Sequence, residues 1–268
     1  MDEKSALSVA VIVLNEAENL PDCLRSVAFA RQIVVVDSGS TDETVRLAAD
    51  FGCDLFVEAW RGFGAQKQFA VDRCREPWVL VLDADERIPP ETAGVIRRIV
   101  SAPPGDMAGY SFPRKNFFQG RWIKHAGWWP DCVVRLFRRE QGRMTEAKVH
   151  EAVVVEGPVE PLDVPIEHRT ESDLGRILRK IDRYSTLGAE EAFAEGRNCT
   201  IWSAFLRAKI TFSQDYLLRG GFLDGPQGLI LAVTDAVNKF FKYAKLAEMN
   251  RRAREKARRG RSADGKRG

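Results

Sequence analysis

The sequence predicts an α/β protein: a Rossmann-like, mostly parallel sheet with flanking helices over roughly residues 5–100, an antiparallel extension, and a helical C-terminal extension. Three observations carry this. Short runs rich in Val and Ile alternate with amphipathic stretches in the first hundred residues, the rhythm of a parallel sheet wrapped by crossover helices. After Pro103-Pro104 the pieces become shorter and are punctuated by Gly and Pro. From about Ser172 apolar residues recur at helical spacing.

"SVAVIVLN" (8–15) reads as a central strand, apolar on both faces, and "AENLPDCLRSVAFA" as a helix with Leu20, Leu24 and Val27 on one side. "QIVVVDSGSTDETVRLAADFG" repeats the plan. Its strand covers 33–36, and a helix is expected to open with Ser40 and Glu43 in capping-box spacing and to stop near Gly52. "DLFVEAW" is a third strand, "GFGAQKQFAVDRCR" a third helix and "WVLVLDAD" a fourth strand. "GYSFPRKNFF", "DCVVRLFRR" and "AKVHEAVVVEG" predict an antiparallel extension of the sheet. Helical segments follow near 172–196, 200–219 and 226–250. In the last, Leu229, Ile230, Val233, Val237, Phe240, Phe241 and Ala244 share a face, while Lys239, Lys242 and Lys245 lie mainly off it. The expected organisation is one domain over 5–170, divided at about residue 100, a helical region over 171–250 and a disordered basic tail over 251–268.

Composition excludes several classes. The 268 residues are 44% hydrophobic and 29% charged, ordinary for a soluble globular chain. Five cysteines stand without a CxxC pair, and the acidic, polar start MDEKSALS lacks an export pattern, so a reducing cytosol is expected. No run of 18 apolar residues is present; "GLILAVTDAVNKFF" is interrupted by Asp235, Asn238 and Lys239. Residues 251–268 hold seven Arg and two Lys against Glu255 and Asp264, a net of +7, leaving −4 on residues 1–250. That tail reads either as a solvated terminus or as an electrostatic attachment to an anionic surface, for which a peripheral membrane contact is expected and nucleic acid is not.

In an open α/β sheet, ligands gather at the carboxyl ends of the strands. Three strands end in polar signatures: Asn15-Glu16, Asp37-Ser38-Gly39-Ser40 and Asp83-Ala84-Asp85-Glu86. Neither GxGxxG nor GxxxxGK[ST] occurs, so no dinucleotide fingerprint or P-loop is predicted. Unpaired carboxylates at the end of a buried strand raise one another's pKa and destabilise the fold, which predicts a neutralising partner. A hard divalent cation, Mg²⁺ or Mn²⁺, suits an Asp-x-Asp, because it takes one or two protein carboxylates and completes its shell with phosphate oxygens and water.

"VAVIVLNEAENLPDCLRSV", "IVVVDSGSTDET" and "VLVLDADE", in this order, resemble the three successive signatures of the family 2 glycosyltransferases, which have the GT-A fold. "GWWPDCVVRLFRR" (127–139) followed by "KVHE" (148–151) resembles the lipopolysaccharide core β-glucosyltransferase branch. The resemblance implies that 5–100 is the nucleotide-sugar half and 101–170 the acceptor half. It implies that Asn15 and Glu16 lie near the nucleotide, and that Asp37 hydrogen-bonds the base with Ser38 and Ser40 close by. Lys67 would approach the diphosphate, Asp83 the ribose or sugar, and Asp85 the metal. It also suggests UDP-glucose as donor and a cell-envelope glycolipid as acceptor, such as the lipopolysaccharide inner core, a polyprenyl-linked sugar or, outside lipids, a protein. Processive members carry QxxRW late in the chain; only "QGRW" at 119–122 is present, so a single-transfer enzyme is expected.

An inverting transfer needs charge stabilisation at the departing diphosphate, for which the metal at Asp85 and Lys67 or Arg135 are candidates. It also needs a carboxylate to take the acceptor proton, and Glu151 and Asp131 are both candidates, Glu151 slightly preferred because His150 beside it could orient an acceptor or approach the diphosphate. His125 and His168 are read as ordinary structural histidines. Trp128 and Trp129 are either sugar-stacking platforms or anchors of a small core. Two rival classes use similar parts. A haloacid-dehalogenase-type phosphatase needs its Asp-x-Asp after an early strand, and a non-catalytic nucleotide-binding protein has no use for an intact one.

Overall fold

The structure, a computed structural model, describes residues 4–103, 105–145, 151–170 and 173–264, the last eight by backbone alone. The chain forms two compact units, one of residues 1–117 and 129–170 and the other of residues 118–128 and 171–268. Residues 118–128 fall in the helical unit, a return of the chain that the sequence does not announce.

The first unit opens with β1 (Ser5–Val13), α1 (Leu20–Ser26), β2 (Ala30–Asp37), α2 (Thr44–Asp50), β3 (Asp54–Val57), α3 (Phe63–Val71) and β4 (Trp78–Asp83). β1 lies between β2 and β4, all parallel, and β3 continues the sheet beyond β2. Both faces of these strands are covered, which explains their uninterrupted Val, Ile and Leu runs. On one face Leu7, Val9, Val11, Leu80 and Leu82 pack with Leu20, Leu24 and Ile96; on the other Ala10, Val34, Val36, Val79 and Val81 pack with Ala70 and Val71. β5 (Glu86–Arg87) and α4 (Pro90–Ser101) follow, then β6 (Gly109–Phe118), β7 (Arg121–Trp122), β8 (Asp131–Arg138), β9 (Gly142–Met144), β10 (Val153–Val155), β11 (Val159–Pro161) and β12 (Ile166–Arg169).

The sheet runs β3-β2-β1-β4-β8-β6-β12-β5, with β11 also beside β6. β8 is antiparallel to β4 and to β6, which is the expected antiparallel extension. The segment around 153–155 differs from expectation: β10 pairs with β9 as a separate two-stranded ribbon. No apolar run announces β12, whose pairing with β6 and β5 supplies its stability.

The helical unit holds α5 (Leu174–Ala194), α6 (Ile201–Ser213), a π-turn over Gln214–Leu218, a 3₁₀ turn over Gly221–Asp224 and α7 (Gly225–Asp264). α7 runs on through the basic segment to Asp264, where the sequence suggested a helix ending near 250 and a disordered tail. Its packing partners are α5 and α6: Leu246 is fully buried with Ala189 and Ala192 of α5. Lys245, expected on a solvated side, instead donates to Asp182 Oδ1 (2.7 Å), Ser185 Oγ (2.9 Å) and Thr186 Oγ1 (2.7 Å) of α5. Residues 118–128 are tied to this unit by Asp224, which accepts from His125 N (2.9 Å) and contacts His125 Nδ1 (3.1 Å). Trp128 packs with Phe118, Ile123 and Leu231, the small-core alternative foreseen for it.

Candidate active site

The strand register sets the three polar ends side by side. Val13 of β1 is level with Asp37 of β2, and Ile12 with Asp83 of β4, so the two aspartates flank the end of β1 about 10 Å apart. At the end of β1, Asn15 takes a left-handed conformation (φ 55°), which asparagine tolerates better than most residues. Its N–H donates to Ser40 Oγ (2.8 Å) and its Oδ1 accepts from Thr41 N (2.8 Å), knitting the first loop to the second. Glu16 N donates to Thr44 Oγ1 (2.8 Å), and Glu16 Oε2 accepts from Asn19 Nδ2 (2.9 Å).

Asp37 is buried, and its carboxylate accepts from Gly39 N (2.8 Å), Ser40 N (2.9 Å) and the Ser40 hydroxyl. Ser40 is thereby spent on the strand end, and the capping box expected at α2 does not form; the N-cap residue is Glu43, without a side-chain cap. Asp42 holds the helix entrance instead, accepting from Thr44 N (3.0 Å) and Ala17 N (3.2 Å). Ser38 Oγ accepts from Gln66 Nε2 (3.2 Å) on α3.

The carboxylates after β4 are neutralised largely by the protein's own cations. Lys67 Nζ lies 2.6 Å from Asp83 Oδ1, and Arg135 Nη2 lies 2.7 Å from Asp83 Oδ2 and 2.6 Å from Glu86 Oε1. Lys67 and Arg135 are only 4% and 6% exposed, and Glu86 is fully buried. Burial alone pushes Asp83 up, but Arg135 and Lys67 outweigh it and hold its carboxyl well below the usual range. Burial likewise lowers the Arg135 guanidinium, and Glu86 and Asp83 more than reverse it. Of the three carboxylates for which the sequence predicts a neutralising partner, Asp83 and Glu86 thus have two buried cations of the protein itself, and Asp85, the expected metal ligand, has neither.

Asp85 faces His168. Antiparallel pairing sets His168 of β12 opposite Glu86 of β5, and His168 Nε2 lies 3.3 Å from Asp85 Oδ2. His168 Nδ1 is 2.6 Å from Asn116 Oδ1, while Asn116 Nδ2 donates to Asp131 Oδ2 (3.2 Å). An amide oxygen only accepts, so Nδ1 carries a proton and Nε2 is the nitrogen turned to Asp85. Burial lowers the His168 pKa, but the hydrogen bond and charge of Asp85, with Glu86, raise it above the ordinary value. Reading His168 as an ordinary structural histidine missed this contact. The only sequence signal was a polar residue two positions after a buried Ile166 in an otherwise unremarkable segment.

These residues fit a divalent cation. His168 Nε2 and Asp85 Oδ2, 3.3 Å apart, are a nitrogen and a carboxylate oxygen that could both reach one such ion. The imidazole is oriented through its other nitrogen, the usual outer-shell arrangement for a metal-ligating histidine. Lys67, Arg114 and Arg135 face Asp83, Asp85, Glu86, Asp131 and Glu151, so with His168 neutral the cluster carries a net charge of −2. Among the described residues no cluster of three His, Cys, Asp or Glu forms a complete metal cage, so substrate oxygens and water would finish the shell.

Both base candidates reach the same network. Glu151 Oε1 accepts from Lys67 Nζ (3.0 Å), which brings the residue after β9 against α3. Gly64 permits that approach, since a Cβ there would stand 2.1 Å from the Thr145 carbonyl oxygen. Asp131 sits across the β6–β8 ladder from Arg114 and accepts from its Nε (3.0 Å) and Nη2 (2.6 Å). His150 lies outside the described residues.

Residues 8–154 match the model of glycosyl transferase family 2. The chain belongs to the family 2 glycosyltransferases. This glycosyltransferase is 32% identical over 258 residues to the lipopolysaccharide core biosynthesis glycosyltransferase LpsC of Rhizobium meliloti, an alignment covering 92% of this chain and 93% of that one. An uncharacterised glycosyltransferase of Rickettsia typhi is 24% identical over 259 residues, covering 92% and 89%. Among solved structures, Staphylococcus aureus TarS 1-349 with UDP-GlcNAc has a TM-score of 0.47 at 15% identity, covering 92% of each chain. Glucosyl-3-phosphoglycerate synthase of Mycobacterium tuberculosis with Mn²⁺, UDP and glucosyl-3-phosphoglycerate has 0.44 at 16%, covering 65% and 75%. The glycosyltransferase resembles the lipopolysaccharide branch of its family, and its parallel sheet, antiparallel extension and C-terminal helices are the GT-A arrangement expected from its motifs. Family membership also disposes of the phosphatase and of the non-catalytic binding protein.

Proposed function

We propose that this glycosyltransferase moves a single sugar, glucose from UDP-glucose, onto a lipid-borne cell-envelope glycan such as the lipopolysaccharide inner core, with inversion. The observation that carries the reading is the junction at the end of β4, where Asp83, Asp85, Lys67, Arg135, His168 and Glu151 lie within one hydrogen-bonded network. The similarity to LpsC over nearly the whole length supports a lipopolysaccharide-type acceptor.

In this reading Asn15, Glu16, Asp37, Ser38 and Ser40 form the nucleotide side of the crevice. Asp37 builds the wall there by holding Gly39 and Ser40 in place, and the loop it fixes is what meets the base. Asp83 faces the ribose or sugar. Asp85 and His168 would hold Mg²⁺ or Mn²⁺, the imidazole favouring the transition metal, and the bound ion would supply charge stabilisation at the departing diphosphate. Lys67 and Arg135, already desolvated, add positive charge that needs no reorganisation as the leaving group develops. Glu151 takes the acceptor proton, Lys67 moving its hydrogen bond from Glu151 to the diphosphate when donor enters; Asp131 is the second candidate, joined to His168 through Asn116. His150, next to Glu151 in the sequence, would orient the acceptor. The site works on the cytoplasmic side, with the protein peripheral on the membrane that carries the acceptor.

Incubation with a panel of nucleotide sugars tests the donor half: metal-dependent release of UDP from UDP-glucose above that from the other sugars is expected, and equal release from all overturns the glucose assignment. Gene deletion followed by mass analysis of envelope glycolipids tests the acceptor half. Loss of one hexose from the lipopolysaccharide core is expected, and an unchanged core overturns it.

A further inference from the structure

The most exposed apolar series in the helical unit lies on α6 and the turns that follow it, ahead of Leu174, Leu178 and Leu187 of α5 and Leu229, Val233 and Phe241 of α7, which are 41–58% exposed. Ile201, Trp202, Phe205, Leu206 and Ile210 of α6 are 51–78% exposed, and Leu217, Leu218, Phe222 and Leu223 continue the series at 49–81%. Positions 201, 202, 205, 206 and 210 fall within half a turn of one another on a helix, opposite Ala204, which is fully buried. The apolar face is therefore an outward one.

Its charge is one-sided. From Gly196 to Leu223 the chain carries Arg197, Arg207, Lys209 and Arg219 against a single acid, Asp215, which is buried and paired with Arg219 at 2.9 Å; Arg197 is paired with Glu195 at 2.7 Å, and Arg207 and Lys209 are the cations of α6 itself. The exposed Lys209 projects from within the apolar stripe, where a long stem can lie along an apolar surface while its charge reaches outward. The basic end of α7 joins the same surface. Asn250 Nδ2 donates to Arg197 O (3.2 Å) and Arg254 Nη2 to Asn198 Oδ1 (3.2 Å), so the exposed Arg251, Arg252 and Arg254 stand at the entrance to α6.

We propose that the outward face of α6, continued by Leu217, Leu218, Phe222 and Leu223 and flanked by the arginines that open the basic segment of α7, docks the protein on an anionic lipid bilayer. This deepens the reading of a lipid-borne acceptor and names the surface that meets the membrane. An interfacial helix of this kind pairs a Trp- and Leu-bearing face with Lys and Arg and lies in the headgroup plane. No described helix is long and apolar enough to cross a membrane, so the contact is one of surface docking. The apolar face supplies insertion and the arginines supply the preference for anionic headgroups, each nearby cation strengthening binding several-fold at low salt. α7 contributes charge; its Ile230, Leu231, Tyr243, Leu246 and Met249 are packed in two small cores, and its Leu229, Val233 and Phe241, at 41–45%, are less exposed than the α6 series.

The test is co-sedimentation of the full chain with phosphatidylglycerol vesicles and with phosphatidylcholine vesicles, without donor. The parent is expected to bind the anionic vesicles at low salt. A Trp202→Glu, Phe205→Glu double variant should lose at least about tenfold in partition, and an Arg251→Ser, Arg252→Ser, Arg254→Ser variant should lose its preference for the anionic lipid. Brominated lipid should quench a component of tryptophan fluorescence that is missing in Trp202→Phe, a readout that needs no disruptive substitution. UDP release from nucleotide sugars without lipid should be unchanged in all variants, which separates failure of the docking surface from failure of the transferase reading. Binding by the double variant equal to the parent overturns the proposal. So does absence of parent binding, or a stable dimer of the parent that the double variant dissociates without any vesicle binding.

Discussion

His168 Nε2 lies 3.3 Å from Asp85 Oδ2, and the two residues are brought together across 83 positions of sequence by the pairing of a four-residue strand with a two-residue one. Removing either group should weaken metal binding. Asp85→Ala and His168→Gln are each expected to lower Mn²⁺ affinity by an order of magnitude or more, read by electron paramagnetic resonance of free Mn²⁺. The pair is 20–30% exposed, so metal-free stability should change by no more than about 1 kcal/mol. Parent-like Mn²⁺ binding by both variants sinks the assignment of these two ligands.

The same pair gives a pH signature. The folded-state pKa of His168 is raised above its ordinary 6.5, so the metal-free pair stabilises the fold below that value and loses its contribution as pH rises through the raised one. Melting temperatures of the metal-free parent and of His168→Gln should differ most near about pH 6 and converge near about pH 9. Mn²⁺ binding should run the opposite way, strengthening with pH as the proton leaves the imidazole. A melting difference independent of pH contradicts the ion pair.

Glu151→Gln is expected to lower turnover by a factor on the order of 10² to 10⁴ with little change in donor affinity, as loss of a general base does. Asp131→Asn should cost less turnover and more stability, because its Oδ2 receives both Arg114 and Asn116. Reversal of that order exchanges the two roles. Turnover within a few-fold of the parent in both places the acceptor elsewhere.

Gly64→Ala places a methyl group 2.1 Å from the Thr145 carbonyl oxygen, a backbone atom that has to move. The movement carries Glu151 away from Lys67, so transfer should fall at least about tenfold through a mechanism outside the chemistry of either residue. Gly94→Ala, in α4 with no close neighbour at that position, is the control and should be stabilising by about 0.5–1 kcal/mol. Full activity of Gly64→Ala, measured with donor alone and with acceptor, breaks the link between this contact and Glu151.

Arg135→Met leaves Glu86, fully buried, and Asp83 without the guanidinium they share. A destabilisation of about 3–5 kcal/mol is expected in denaturant titrations, since Glu86 stays fully buried with only the more distant Arg114 (3.5 Å) facing it, although Asp83 keeps Lys67. A loss below about 1 kcal/mol would mean that Lys67 and Arg114 suffice.

Local pattern and residue chemistry determined a great deal by themselves. The β-branched runs at 8–13, 33–36 and 78–83 specify strands buried on both faces, and such strands leave little choice but a parallel sheet with its polar ends on one edge. That edge holds Asn15, Asp37, Asp83 and Asp85, legible because each follows its strand directly. Tertiary structure decided what depends on distant pairing. Ser40 could have capped α2 or braced Asp37, and only the folded loop chose. Lys67, 16 residues before Asp83, was legible as a cation near the site, but its bridge from Asp83 to Glu151 needs Gly64 to let the β9–β10 ribbon approach. His168 had no local signature, because a histidine acquires its role from the carboxylate and amide that flank it, and those arrive from β4 and β6. Periodicity likewise revealed an apolar face on α7, but how much of each helix's face stays exposed, as on Trp202 and Phe205 of α6 against the buried Leu246 of α7, is set only when α5, α6 and α7 pack against one another.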